Sequence, residues 1–185
     1  MKMASARNWH GLLGVVLVIA LAVSGCIGTI HGGGVVSLFD VGTGLGAGVP
    51  TDANVAVSVT CNNNTDEVRS IIHWTDNTNG ANFTARLPST PISEISGSAA
   101  DTCEEAAEIV SAQGASFSVG VINSRGQESG QVVIGVSAPG AGPVDCGDLQ
   151  VVAIDATGTE DVLPGGSYTA IGCLDRGKIS FAQTP

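Results

Sequence analysis

Residues 54–61 read Asn54-Val55-Ala56-Val57-Ser58-Val59-Thr60-Cys61. Valines and Cys61 take every second position, with small or polar side chains between them. A period of two places the apolar set on one face of an extended chain, so this stretch is a strand with one buried face. Residues 117–121 repeat the pattern, Phe117, Val119 and Val121 alternating with Ser118 and Gly120. Further short β-rich runs occur at 69–75, 82–87, 131–137, 149–155, 167–173 and 178–182. Turn-forming clusters separate them: Asp76 to Gly80, Asn123 to Gly130, Pro139 to Pro143, Pro164 to Gly166 and Asp175 to Gly177. Short strands punctuated in this way predict a mainly β fold over residues 54–185, an antiparallel β-sandwich or a partly closed barrel. That span is long enough for one core of ordinary size.

One segment departs from the pattern. Asp101, followed three residues later by Glu104, resembles a capping box, and Cys103, Ala106, Ala107 and Val110 share one helical face ahead of Gly114. A single short helix over 101–113 is expected. An internal echo competes with it, because residues 100–105 resemble residues 144–148 with one gap, and the second copy runs into a strand. Residues 54–61 also loosely echo 115–123. The echoes allow a division into two related β units, 54–114 and 115–185, each holding one pair of cysteines. That division favours Cys61 with Cys103 and Cys146 with Cys173 among the three possible pairings.

Upstream, residues 26–53 are Gly-rich and carry only Asp40 and Asp52 as charges. Composition reads this stretch as a flexible tether, with Val35, Val36, Leu38 and Phe39 able to form an edge strand against the domain. Residues 1–25 have the layout of an export signal: Lys2 and Arg7, then an uncharged apolar run from Gly11 to Val23. The run is shorter than the roughly 20 residues needed for a spanning helix.

The end of that run, Val23-Ser24-Gly25-Cys26, resembles the lipobox of bacterial lipoproteins, with Val23 where Leu is commoner. The resemblance implies cleavage before Cys26, diacylglycerol on its sulfur and a fatty acyl chain on the new amino group. It places the mature chain in the bacterial cell envelope, on the extracytoplasmic side of a membrane, and Ile27 favours an outer membrane where one exists. Removing Cys26 to lipid turns an odd count of five cysteines into four, the number that two disulfides need in an oxidising compartment. In layout, with a cysteine before a strand and a late one before residues 178–182, the mature domain is similar only to uncharacterised β-rich envelope lipoproteins.

Charge and motifs exclude several functions. Downstream of Gly25 lie all 17 acidic residues but five of the seven basic ones, a formal net charge of −12. Such a surface repels nucleic acid. His73 is the sole histidine beyond the Gly-rich stretch, and no Gly-x-Ser-x-Gly elbow presents a nucleophile. If Trp74 is core, His73 faces solvent. No zinc-type spacing or phosphate loop occurs. The loops Asp76 to Gly80 and Asp155 to Asp161, with Glu160, offer oxygen donors, yet the first lacks the glycine and distal Glu of a calcium hand. No catalytic residue, metal or cofactor is therefore expected. Of the aromatics downstream of the Gly-rich stretch, Trp74, Phe83, Phe117, Tyr168 and Phe181, most are needed for the core. The reading that follows is a non-enzymatic binding or structural module, held to the membrane by lipid on Cys26, with a protein or glycan partner. An envelope polysaccharide hydrolase and a surface adhesion domain are the alternatives.

Overall fold

The computed structural model describes residues 29–62, 64–94, 100–103, 105, 115–119, 121–122, 130–142, 144–160 and 162–182. Among the described residues ten strands are formed: β1 (Thr29–Thr43), β2 (Gly46–Ala47), β3 (Asp52–Asn62), β4 (Glu67–Asp76), β5 (Ala81–Pro91), β6 (Ala115–Val119), β7 (Val121–Ile122), β8 (Gly130–Val136), β9 (Val151–Gly158) and β10 (Ser167–Ala182). They make one antiparallel sheet in the order β6-β8-β9-β10-β1-β3-β4-β5-β7, with β2 folded back on the end of β1. β3, β4 and β5 lie side by side in sequence order, as do β8, β9 and β10, and β10 returns to lie beside β1. The sheet nearly closes on itself through residues 115–119 and 121–122, because β6 pairs with β8 while β7 pairs with β5 at Ala85↔Ile122 and Arg86↔Val121. Of the two expected architectures, the fold is the partly closed barrel, in up-and-down order. Near-closure pairs backbone groups that an open sheet would leave along its edges.

The period of two read from residues 54–61 is the inside-outside alternation of β3: Val55, Val57, Val59 and Cys61 are buried and Asn54, Ala56 and Ser58 exposed. β4 continues it with Val68, Ser70, Ile72, Trp74 and Asp76 inward. Phe83 and Ala85 of β5, Val132, Ile134 and Val136 of β8, and Ile154 of β9 join the same core. Each such branched or aromatic side chain contributes roughly 1.5–3 kcal/mol on burial.

The Gly-rich stretch is not a tether. From Thr29 onward it is a central stave, with Gly33 opposite Ala56 of β3 on one side and Lys178 of β10 on the other. The physical reason lies in Gly33 and Gly34. A Cβ on Gly33 would strike the carbonyl oxygen of Val55, and one on Gly34 the carbonyl oxygen of Arg176. Glycine here permits close approach between the backbones of neighbouring strands. The folded unit accordingly includes the chain from Thr29 onward, well upstream of residue 54, and Val36, Leu38 and Val41 are core residues. Gly34→Ala is expected to lower stability by about 2–3 kcal/mol in urea unfolding. A tether would absorb the change at no cost, so an unaltered midpoint would refute the assignment of a central stave.

A second correction concerns residues 175–177. The expected turn there is absent, and residues 167–182 form one strand. The Asp-x-Gly chemistry is spent on a bulge, since Val35 faces Arg176 while Val36 faces Leu174, leaving Asp175 as the extra residue. Gly177, back in register opposite Gly34, has a positive φ of 105°, and a Cβ there would strike the Gly33 carbonyl oxygen. Of the helix expected over 101–113, residues 104 and 106–113 lie outside the described residues. Cys103 and Glu105 are helical, and the cap is displaced by one residue from the expected one. The Glu105 amide donates to Thr102 Oγ1 at 3.3 Å, and the Asp101 amide donates to Glu105 Oε2 at 2.9 Å.

Candidate functional site

The strands run between two differently built ends. At the base, Thr29 of β1 faces Thr60 of β3 and Ala182 of β10. The 62–67 turn, Ile92–Glu94 and residues 100–103 close this end, with Ile92, Ala100 and Cys103 buried. Asp66, at φ 49°, organises the closure: its carbonyl accepts from the Ile92 amide at 2.8 Å and its Oδ1 from the Cys103 amide at 3.0 Å. Cys103 is bonded to the inward-facing Cys61, with a Cα–Cα distance of 5.9 Å.

The second disulfide has a different task. Cys173 lies between the inward-facing Gly172 and Leu174, so it projects from the outer face of β10, where it is bonded to Cys146 at a Cα–Cα distance of 5.6 Å. This straps the loop between β8 and β9 to the barrel wall. Gln150, buried beside it, completes the strap by pairing with backbone as a strand would: Nε2 donates to the carbonyls of Ile179 (3.0 Å) and Ser137 (3.2 Å), and Oε1 accepts from the Ile179 amide (3.0 Å). Both cysteine pairs are those favoured by the internal echo. Two disulfides fit an oxidising, extracytoplasmic location. No described helix is long and apolar enough to cross a membrane.

At the opposite rim, three loops meet. The Gly44 amide donates to the carbonyl of Pro164 at 3.0 Å, and the Val49 amide to Asn79 Oδ1 at 2.8 Å, bringing 44–50, 77–80 and 159–166 together. Beneath them lies a buried polar group. Asp76 is fully buried, and its Oδ2 accepts from the Tyr168 hydroxyl and from Asn79 Nδ2, each at 2.7 Å, while Oδ1 accepts from the Asn79 amide at 3.1 Å. Asn79 Nδ2 also donates to the Val49 carbonyl at 3.0 Å. Burial, reinforced by the Asp76 carboxylate, holds the Tyr168 phenol well above its ordinary range. The Tyr168 ring lies against Trp74, their centroids 6.1 Å apart.

The oxygen-rich loop Asp76 to Gly80 is a turn whose Asp76 carboxylate accepts three protein donors. In the other loop, Asp155 lies on the outer face of β9, where partial burial raises its carboxyl above the ordinary range, and Glu160 is exposed. Among the described residues no group of three or more His, Cys, Asp or Glu could hold a metal ion. His73 is exposed, as alternation with Trp74 requires, and its Nδ1 lies 2.9 Å from Thr84 Oγ1. Trp74, Phe83 and Tyr168 are core. The rim shows what sequence reasoning missed: Leu45 is 80% and Val49 58% exposed. Both fall in the Gly-rich stretch, where the surrounding glycines hid a tight loop as slack chain. Cys26 lies outside the described residues.

Fold and site together define a class by architecture: a nearly closed up-and-down barrel whose inward faces are packed with apolar side chains, with one disulfide at its base and another strapping its wall. No protein-family model, curated protein or solved structure matches the chain.

Proposed function

We propose that the chain is a lipid-anchored lipoprotein of the bacterial cell envelope whose barrel is a non-enzymatic binding or structural module. The sequence Val23-Ser24-Gly25-Cys26 carries the anchor, and the two disulfides are consistent with its export. The filled interior carries the rest. A barrel of about eight staves either packs its lumen with side chains or holds one small ligand. Here Ile30, Val36, Ile72, Trp74, Ile134 and Tyr168 occupy it. Recognition then falls to the outer wall and the rim, and the exposed Leu45 and Val49 favour a protein partner there over a polar glycan. By its resemblance to lipoprotein sorting signals, Ile27 directs the chain to the outer membrane where one exists.

Mass spectrometry of the N-terminal peptide tests the anchor. The wild type is expected to start at Cys26 carrying diacylglycerol and a third acyl chain, and Cys26→Ser to retain its signal segment and lack lipid. An unmodified Cys26 in the wild type would remove the proposal.

A further inference from the structure

The glycine-rich stretch, once placed in the barrel, leaves almost no chain between the lipid and the fold. Cys26 is three residues from Thr29, the first residue of β1. Fully extended, three residues span at most about 11 Å. A Cys26 whose acyl chains lie in the bilayer has its backbone at headgroup level, within a layer on the order of 5–7 Å thick. The base of the barrel is thus confined to the lipid surface. β1 runs directly away from it for 15 residues, on the order of 35 Å of height at the strand tilt usual for barrels.

We infer that the base of the barrel, at Thr29, Thr60 and the 62–67 turn, seats on a lipid surface of uncharged, zwitterionic headgroups, and that the 44–50, 77–80 and 159–166 rim is the end displayed outward. The inference rests on the lipidation proposed above. The charge of the base selects the headgroup. Asp66, Glu67, Glu94, Asp101 and Glu105 gather there, with Arg69 the nearest described cation. A Debye length of about 8 Å at physiological salt is comparable to the available reach, so an anionic surface repels this end throughout the distance the chain allows. The same seating puts the exposed Leu45 and Val49 at the far end from the lipid, where they face the surroundings rather than the bilayer.

The test uses the full lipidated chain, purified from cells and reconstituted in phosphatidylcholine vesicles containing a headgroup-attached quencher. An azide-bearing residue placed at Asn64 or at Leu45, both exposed, takes a fluorophore without disturbing the disulfides. Quenching at Asn64 is expected to exceed that at Leu45 several-fold. A flexible Gly/Ser insert of about 20 residues after Gly28 should abolish the difference, since its reach is on the order of 25 Å. Replacing part of the lipid with phosphatidylglycerol should reduce quenching at Asn64. Equal quenching at the two positions in chains whose intact mass shows the lipid would overturn the seating alone, and undiminished quenching on anionic vesicles would overturn the headgroup assignment. An intact mass without lipid removes this inference together with the anchor.

Discussion

Asp76→Ala is expected to cost about 2–5 kcal/mol of stability, because it removes three hydrogen bonds to one acceptor and each buried donor left unpaired costs about 1–3 kcal/mol. Asp76 is fully buried and accepts three hydrogen bonds, two of them at 2.7 Å. Short bonds to an ionised acceptor are the strong ones. Alanine leaves the Tyr168 hydroxyl and the Asn79 amide facing a void, and each unsatisfied donor adds its own desolvation penalty. Tyr168→Phe removes a single bond and keeps Asn79 on the carboxylate, so a loss of about 1–3 kcal/mol is expected. Urea unfolding at pH 7 measures both; an Asp76→Ala loss below that of Tyr168→Phe would contradict the network. Because the folded state keeps a Tyr168 proton that the unfolded chain releases near pH 10, its contribution is complete below pH 10 and is lost as pH rises further. Tyr168→Phe should flatten that alkaline decline. Asn79 extends the effect to the rim, since it links Asp76 to the Val49 backbone. Faster hydrogen exchange across 44–50 in Asp76→Ala would show the rim loosening with it.

The role of Asp76 shows where sequence reading stops. In-out alternation along β4 runs through Val68, Ser70, Ile72 and Trp74 to Asp76, and extending the period by one step points its carboxylate inward. The Asp-Asn-Thr-Asn-Gly composition reads first as a tight turn and only weakly as a set of oxygen ligands, and nothing local distinguishes either from a buried acid with a partner 92 residues away. β3, β4, β5, β8 and β9 were legible because one buried face imposes a period of two on the residues themselves. β1 was not, for the opposite reason. Gly32 to Gly34 carry no side chain to show a period, and what makes them strand is the proximity of Val55 and Arg176, which only the assembled sheet reveals. The same holds for Asp175 to Gly177, where a bulge and a turn ask for the same residues. The cysteine pairing was legible from the internal echo, because each half of the chain forms its own succession of neighbouring staves.

The largest separable contribution comes from that pairing. Cys61 and Cys103 are 42 residues apart and Cys146 and Cys173 are 27 apart. By loop-closure entropy alone their bridges stabilise by about 4 and about 3.5 kcal/mol, a difference too small to tell them apart. Their surroundings separate them. Cys61 and Cys103 are buried in the barrel base, where Cys103 also receives its amide's acceptor from Asp66. Replacing both by serine buries two hydroxyls in an apolar setting, which adds to the entropic loss. The outer strap buries its cysteines only partly, and Gln150 still holds that loop to the Ile179 backbone. The Cys61→Ser/Cys103→Ser chain is therefore expected to lose well over 4 kcal/mol and to release residues 100–103 to protease, while Cys146→Ser/Cys173→Ser loses about 3.5 kcal/mol and keeps its base closed. Urea unfolding with limited proteolysis reads both quantities. Greater loss from the outer pair would mean that the wall strap, rather than the plugged base, holds the barrel shut.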